Sequence, residues 1–251
     1  VFDRVASSVP GARWARGSTT DYGDVVTGLQ GADAVIHLAA YAIPYKEIPN
    51  HTLFSNNVVS TYNVFEAAAF LGIKRVVTAS SSAISGWTYG NQPLLPQYLP
   101  VYEDHPLHPH DPYGLGKLCD ESIARSFSLR RGMETVNLRL GWILFPQMAG
   151  WLIKSGGSRI TRVELFAYVD PRDVATAFRH AIEAPLSGHS ALLIAADDSS
   201  ANEALSTGLA RVAPEIAEMA KAIVGDAPGV SNQRAKRVLS WRPQHSWRRP
   251  D

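Results

Sequence analysis

Two short runs constrain the fold of this chain more than any other feature. Arg75-Val76-Val77-Thr78-Ala79 is apolar and β-branched without alternation, and it passes into small hydroxyl residues at Ser80-Ser81-Ser82. Ala34-Val35-Ile36-His37-Leu38-Ala39-Ala40 is apolar throughout and also ends in small side chains. Unbroken apolar runs of this length read as buried strands, each leaving its carboxyl end open to a polar loop. Helical periods separate and follow them. Tyr22 to Leu29 is amphipathic and is punctuated by Gly31; Asn56 to Ala69 brings Val58, Tyr62, Phe65 and Ala69 on or near one face and ends at Gly72. Pro112 to about Arg130 is closed by Gly132, and Val174 to Glu183 stops before Pro185. Strands alternating with helices predict an α/β, doubly wound parallel sheet. The expected division is a core over 1–145 and a small C-terminal lobe with returning core elements over 146–251.

The chemistry gathers at Asp111-Pro112-Tyr113-Gly114-Leu115-Gly116-Lys117. Asp111 is placed to cap a helix that Pro112 begins. Tyr113 and Lys117 then share one helical face, one turn apart. An ammonium beside a phenol stabilises the phenolate, so the pair can exchange protons. Ser81 stands about thirty residues earlier, at the carboxyl end of a strand, where open α/β sheets bind ligands.

Together these residues resemble the extended short-chain dehydrogenase/reductase family, also called the NAD-dependent epimerase/dehydratase family. The resemblance runs from residue 1 to about Ala184 and returns near the C-terminus, at Ser231 to Pro243. It implies a Rossmann-like core and an NAD-dependent enzyme, with Ser81, Tyr113 and Lys117 as the catalytic set. It places Asp3, Leu38, Ala39, Ala40, Asn57 and Ser80 on the cofactor with Tyr113 and Lys117, and Ser82 and Trp142 against the substrate. Asp3 falls where an acid takes the adenosine ribose hydroxyl and favours NAD, with NADP second because Arg4 adjoins it. Family members open with a strand, a Gly-rich turn and a helix that hold the cofactor pyrophosphate. None of these precedes Val1, so the chain is expected to start about one β-α unit late.

Other positions depart from the family pattern. Ser18 stands where an acid usually lies near the adenine, and Ser60 replaces a glycine beside Asn57. Asn57 can also be read as a helix cap. Trp142 occupies a place where nucleotide-sugar enzymes commonly carry asparagine, and few residues follow Pro146 in which to build their substrate lobe. A sugar or sugar-acid dehydrogenase is therefore the expectation, with a nucleotide-sugar epimerase or dehydratase as the alternative. A non-catalytic dinucleotide-binding scaffold is the rival of another class. His37 reads as a packed core histidine, Asp173 as a helix cap, and Trp151 to Lys154 as a helix fragment before a turn at Ser155 to Ser158. The long Pro- and aromatic-rich stretch between Gly86 and Asp111 is expected to roof the substrate. Its His105, His108 and His110 lack the carboxylate or Cys partners of a metal site, so no metal is expected.

Composition narrows the partners. Lys+Arg 24 against Asp+Glu 23 leaves a net charge of +1, which argues against nucleic acid or an anionic membrane. The single Cys119 excludes an internal disulfide framework and fits a reducing, cytoplasmic setting. No apolar run is long enough to span a bilayer. The expected partner is a small-molecule substrate, with a homodimer compatible.

Overall fold

The apolar runs lie at the centre of the sheet. In the computed structural model, which describes residues 1–42, 47–89, 94–145, 147–148 and 164–249, β3 (Ala34–His37), β4 (Arg75–Ser81), β5 (Glu134–Leu140) and β8 (His189–Ile194) pair in that order, all parallel. Consecutive residues of a strand point to opposite faces. Val76 packs with Val35, Val64, Phe65 and Phe127, whereas Val77 packs with Val136, Phe178 and Leu192. Both faces of β4 are therefore covered, which is why its sequence shows no alternation.

α2 (Asn50–Phe70) and α3 (Pro112–Arg131) pack together, and Val64, Phe65 and Phe127 from them cover the first face. α1 (Tyr22–Leu29) joins that face through Val25 and Leu29. α4 (Pro171–Glu183) covers the second face, and α7 (Gln233–Leu239) closes against it with the fully buried Trp241. β1 (Phe2–Asp3) pairs in parallel with β2 (Ala15–Arg16), and β6 (Trp142–Ile143) with β7 (Tyr168–Val169). β1 does not bond to β3; both line one cavity of about 960 Å³. α5 (Leu205–Val212) and α6 (Pro214–Ala217) pack Leu205, Leu209 and Ile216 with Trp87, Leu165 and Phe166.

Helix boundaries follow local chemistry, with three differences from the sequence expectation. α2 begins at Asn50 rather than Asn56, because Leu53 is fully buried and anchors two further turns. Asn57 therefore lies inside the helix and is not its cap. α4 is capped by Asp170, whose side chain accepts from the Arg172 amide, because Pro171 takes the first helical position. Asp173, read as a cap from sequence, is instead fully buried and accepts the Gln244 and His245 amides at 2.9 Å. It ties the C-terminal segment to the core. The segments read from sequence at 151–158 lie outside the described residues. Among the described residues, no helix is long and apolar enough to cross a membrane.

Candidate active site

The first turn of α3 presses on the end of β4. Asp111 Oδ1 accepts the Tyr113 and Gly114 amides at 2.9 Å each, and Pro112 fills the first helical position. Gly114 is required by close approach: a Cβ there would stand 2.7 Å from the Ala83 carbonyl oxygen. Ala83 belongs to the 3₁₀ turn Ser82–Ser85 that follows β4 directly. Ser81 caps that turn by accepting the Ala83 amide at 3.1 Å, and its hydroxyl stands near enough to the Tyr113 phenol to act on it. Gly86 ends the turn at φ 89°, where any Cβ would collide with the His108 carbonyl.

One turn along α3, the Lys117 ammonium donates to the Ala79 carbonyl at 2.7 Å and to Asp120 Oδ2 at 3.2 Å. It lies 5.9 Å from the Tyr113 ring centre. Ser81, Tyr113 and Lys117 thus meet where β4 ends. Burial pushes the Tyr113 phenol up to about 12; the Ser81 hydroxyl opposes this, while the carboxylates of Asp120, Glu164 and Asp111 add to it. The sequence expectation was the reverse, a phenol lowered by the ammonium. The difference has a plain cause: burial of the phenol outweighs the other influences, and Asp120, paired with Lys117, adds to it.

Glu164 lies on the other side. Its carboxyl accepts from Ser82 Oγ at 2.8 Å and from Thr88 Oγ1 at 3.5 Å, and burial pushes it up to about 7. Ser80, on the opposite face of β4 from Ser81, donates to Glu121 Oε1 at 2.6 Å. Ser80 and Ser82 therefore both have protein partners. Trp142 is half-buried and packs on Leu144, Tyr168, Ala196 and Trp247.

Asp3, Leu38, Ala39 and Ala40 share the walls of the 960 Å³ cavity. Asp3 is exposed, with Oδ1 accepting the Val5 amide at 2.9 Å. Asn57 stands behind this wall and holds Tyr41 by both backbone groups, accepting from its amide at 2.8 Å and donating to its carbonyl at 3.0 Å. His37 bonds Thr61 at 3.2 Å, and burial holds its imidazole down to about 3, so it is neutral. His105 is a buried loop staple: Nε2 accepts the Gln97 amide at 3.0 Å and Nδ1 meets the Pro106 carbonyl at 2.8 Å. No cluster of three or more metal-ligating side chains occurs among the described residues. Sequence reasoning passes over Asp120 and Glu164. The first was legible as a carboxylate three residues after Lys117; nothing local marks the second.

A profile of the NAD dependent epimerase/dehydratase family matches residues 2–147. The chain belongs to this family. Among relatives, an L-arabinose 1-dehydrogenase (NAD(P)(+)) of Haloferax volcanii is 30% identical over 162 residues, covering 62% of this chain and 63% of that protein. A uronate dehydrogenase of Pseudomonas syringae pv. tomato is 30% identical over 131 residues, covering 49% of this chain and 43% of that protein. The matched part of the chain thus spans less than two thirds of the length of these curated relatives. The fold is that of a short-chain dehydrogenase/reductase superfamily protein from Agrobacterium tumefaciens with bound NAD, at TM-score 0.72 and 24% identity, covering 99% of this chain and 85% of that one.

Two outcomes follow from this geometry. Gly114→Ala places a methyl against backbone that cannot move cheaply, and overpacking of this kind costs about 1–3 kcal/mol, read as a lower urea midpoint. Glu164 binds its proton more tightly folded than unfolded. The stability it carries is complete below its ordinary value of 4.5 and is lost as pH rises through about 7. Glu164→Gln has no such loss, so parent and variant midpoints should diverge as pH rises from about 4.5 to 7, in favour of the variant, and run parallel above that. Profiles parallel throughout would contradict the buried, proton-holding carboxyl.

Proposed function

We propose that the chain acts as an NAD-dependent oxidoreductase on a hydroxyl or carbonyl of a sugar or sugar acid. The observation that carries the reading is the meeting of Ser81, Tyr113 and Lys117 where β4 ends, on the same sheet as a large cavity. That cavity suits a dinucleotide in three respects. Its volume of about 960 Å³ lies at the upper end of ligand sites, roughly 300–1,000 Å³. Ala39 and Ala40 offer small side chains past which a ligand can approach the backbone. An exposed carboxylate, Asp3, stands at the wall with one oxygen left for a ribose hydroxyl; it would repel a 2′-phosphate, which makes NADP the second choice.

In this reading Asp3 takes the adenosine ribose, and Asn57 keeps the Leu38–Tyr41 wall in place through the Tyr41 backbone. Lys117 serves the nicotinamide ribose. When bound, the nicotinamide supplies or takes up the hydride. Tyr113 passes a proton between its phenol oxygen and the substrate oxygen, which Ser81 orients. Ser82 and Trp142 border the substrate. The names of the relatives, an arabinose and a uronate dehydrogenase, support the substrate class.

The face formed by α2 and α3 bears an apolar groove of about 640 Å³ lined by Val58, Val59, Tyr62, Leu118, Cys119 and Ile123, with Val59, Tyr62 and the neighbouring Leu115 exposed. A patch of this kind on two adjacent helices suits an isologous contact with a second copy. Sedimentation should report a dimer that Tyr62→Asp dissociates; a monomeric parent removes this part of the reading.

Tyr113→Phe removes one hydroxyl and keeps the ring's packing against Leu53, Ala83 and Tyr89. In the full-length protein, screened with sugars and sugar acids by absorbance of the reduced cofactor, kcat should fall about 10²–10⁴-fold with little change in NAD affinity. Lys117→Met should damage both. A Tyr113→Phe variant as active as its parent ends this mechanism, and a full-length protein that does not bind NAD ends the cofactor assignment.

A further inference from the structure

Lys117 is not a free cation. Asp120, three residues on along α3, takes its ammonium at 3.2 Å, and the two side chains are only 3% and 7% exposed. At this burial neither charge is screened by water, so each acts strongly on neighbouring groups. Burial raises the Asp120 carboxyl, while the Lys117 ammonium and the nearby Thr61 hydroxyl, from α2, favour its charged form. Thr61 also bonds the neutral His37, which adds no charge. The remaining charged neighbour of Asp120 is Glu121, which is committed to Arg139. Around Tyr113 stand Asp111 and Glu164 besides the Lys117–Asp120 pair, with the Ser81 hydroxyl nearby.

We propose that Asp120 is a positioning residue of this site: its carboxylate holds the Lys117 ammonium against the Ala79 carbonyl and offsets its charge, so that Tyr113 keeps its proton at neutral pH and serves as the proton donor. The direction of use follows. A protonated phenol gives its proton to a substrate carbonyl as hydride arrives at the carbon, leaving an alcohol. In the reverse direction the phenolate must form first, so oxidation gains from alkaline conditions. The proposal rests on the reading of Tyr113 as the proton-exchanging group, but its decisive measurement does not require turnover.

Ligand-free protein labelled with [¹³Cζ]tyrosine is titrated by NMR, and the Tyr113 resonance is identified by its loss in Tyr113→Phe. Asp120→Asn should move the Tyr113 midpoint to lower pH, because a like charge is removed and the ammonium is no longer offset. Asp120→Glu restores the carboxylate and should return the midpoint towards the parent's. With NAD and an accepted sugar, oxidation by Asp120→Asn should outpace the parent at neutral pH, its alkaline rise displaced in the same direction. An unmoved midpoint in folded Asp120→Asn overturns the proposal whatever the activity. Asp120→Ala replaces it where Asp120→Asn does not fold, and failure of both neutral variants to fold makes Asp120 a structural residue and also ends the proposal. If no substrate is turned over while the midpoint moves as expected, it is the reading of the function that fails and the role of Asp120 that stands.

Discussion

The geometry of the site depends on one buried cluster, the carboxylate of Glu121 held by Arg139 and Ser80. Arg139 of β5 donates to both oxygens of Glu121, at 2.9 and 2.8 Å, and Ser80 of β4 adds a third hydrogen bond at 2.6 Å. Tyr113, Lys117 and Glu121 are spaced by four residues and fall along one face of α3. Fixing Glu121 against two strands therefore sets the axial position of the helix, and with it the heights of Lys117 and Tyr113 above the end of β4. The same guanidinium reaches the Glu103 carbonyl at 2.7 Å, and Glu103 in turn accepts the Leu193 amide of β8. The loop between Ser81 and Tyr113 is thereby bound to the sheet. Buried ion pairs add little net stability against apolar replacements, but removing one partner costs about 3–5 kcal/mol. What such a cluster contributes is register.

Once α3 is set, the site lies in a region where water does not moderate charge. Three carboxylates, Asp111, Asp120 and Glu164, act on the Tyr113 phenol against a single ammonium that is itself paired. The phenol is raised, Glu164 holds a proton near neutrality, and His37 is neutral. These directions share one cause, the cost of charge under low-dielectric burial. The cavity wall on the other side is built differently, from Leu38 and the small Ala39 and Ala40, and is kept in shape by Asn57 clasping the Tyr41 backbone. One half of the site is thus governed by electrostatics and the other by steric access.

Much of this was legible because it is local. The double coverage of β4 is written in its unbroken apolar run, and the limits of α3 in Asp111-Pro112 and Gly132, which act through their own backbone angles and amides. The pairing of Tyr113 with Lys117 on one face follows from helical period alone, and the family pattern supplied Ser81. The reading faltered where a residue's role depends on distant partners. Asp173 looked like a cap but binds residues some seventy positions later, and Asn57, readable as a cap, lies inside a helix that begins earlier because Leu53 is buried. The sequence by itself determined the strands, the helix limits and the face of α3 that carries Tyr113 and Lys117, since capping, periodicity and apolar runs act within a few residues. Only the tertiary structure decided the protonation of that face, because Glu164 reaches Ser82 across 82 residues and the Asp120–Lys117 pair owes its strength to burial that no local pattern encodes.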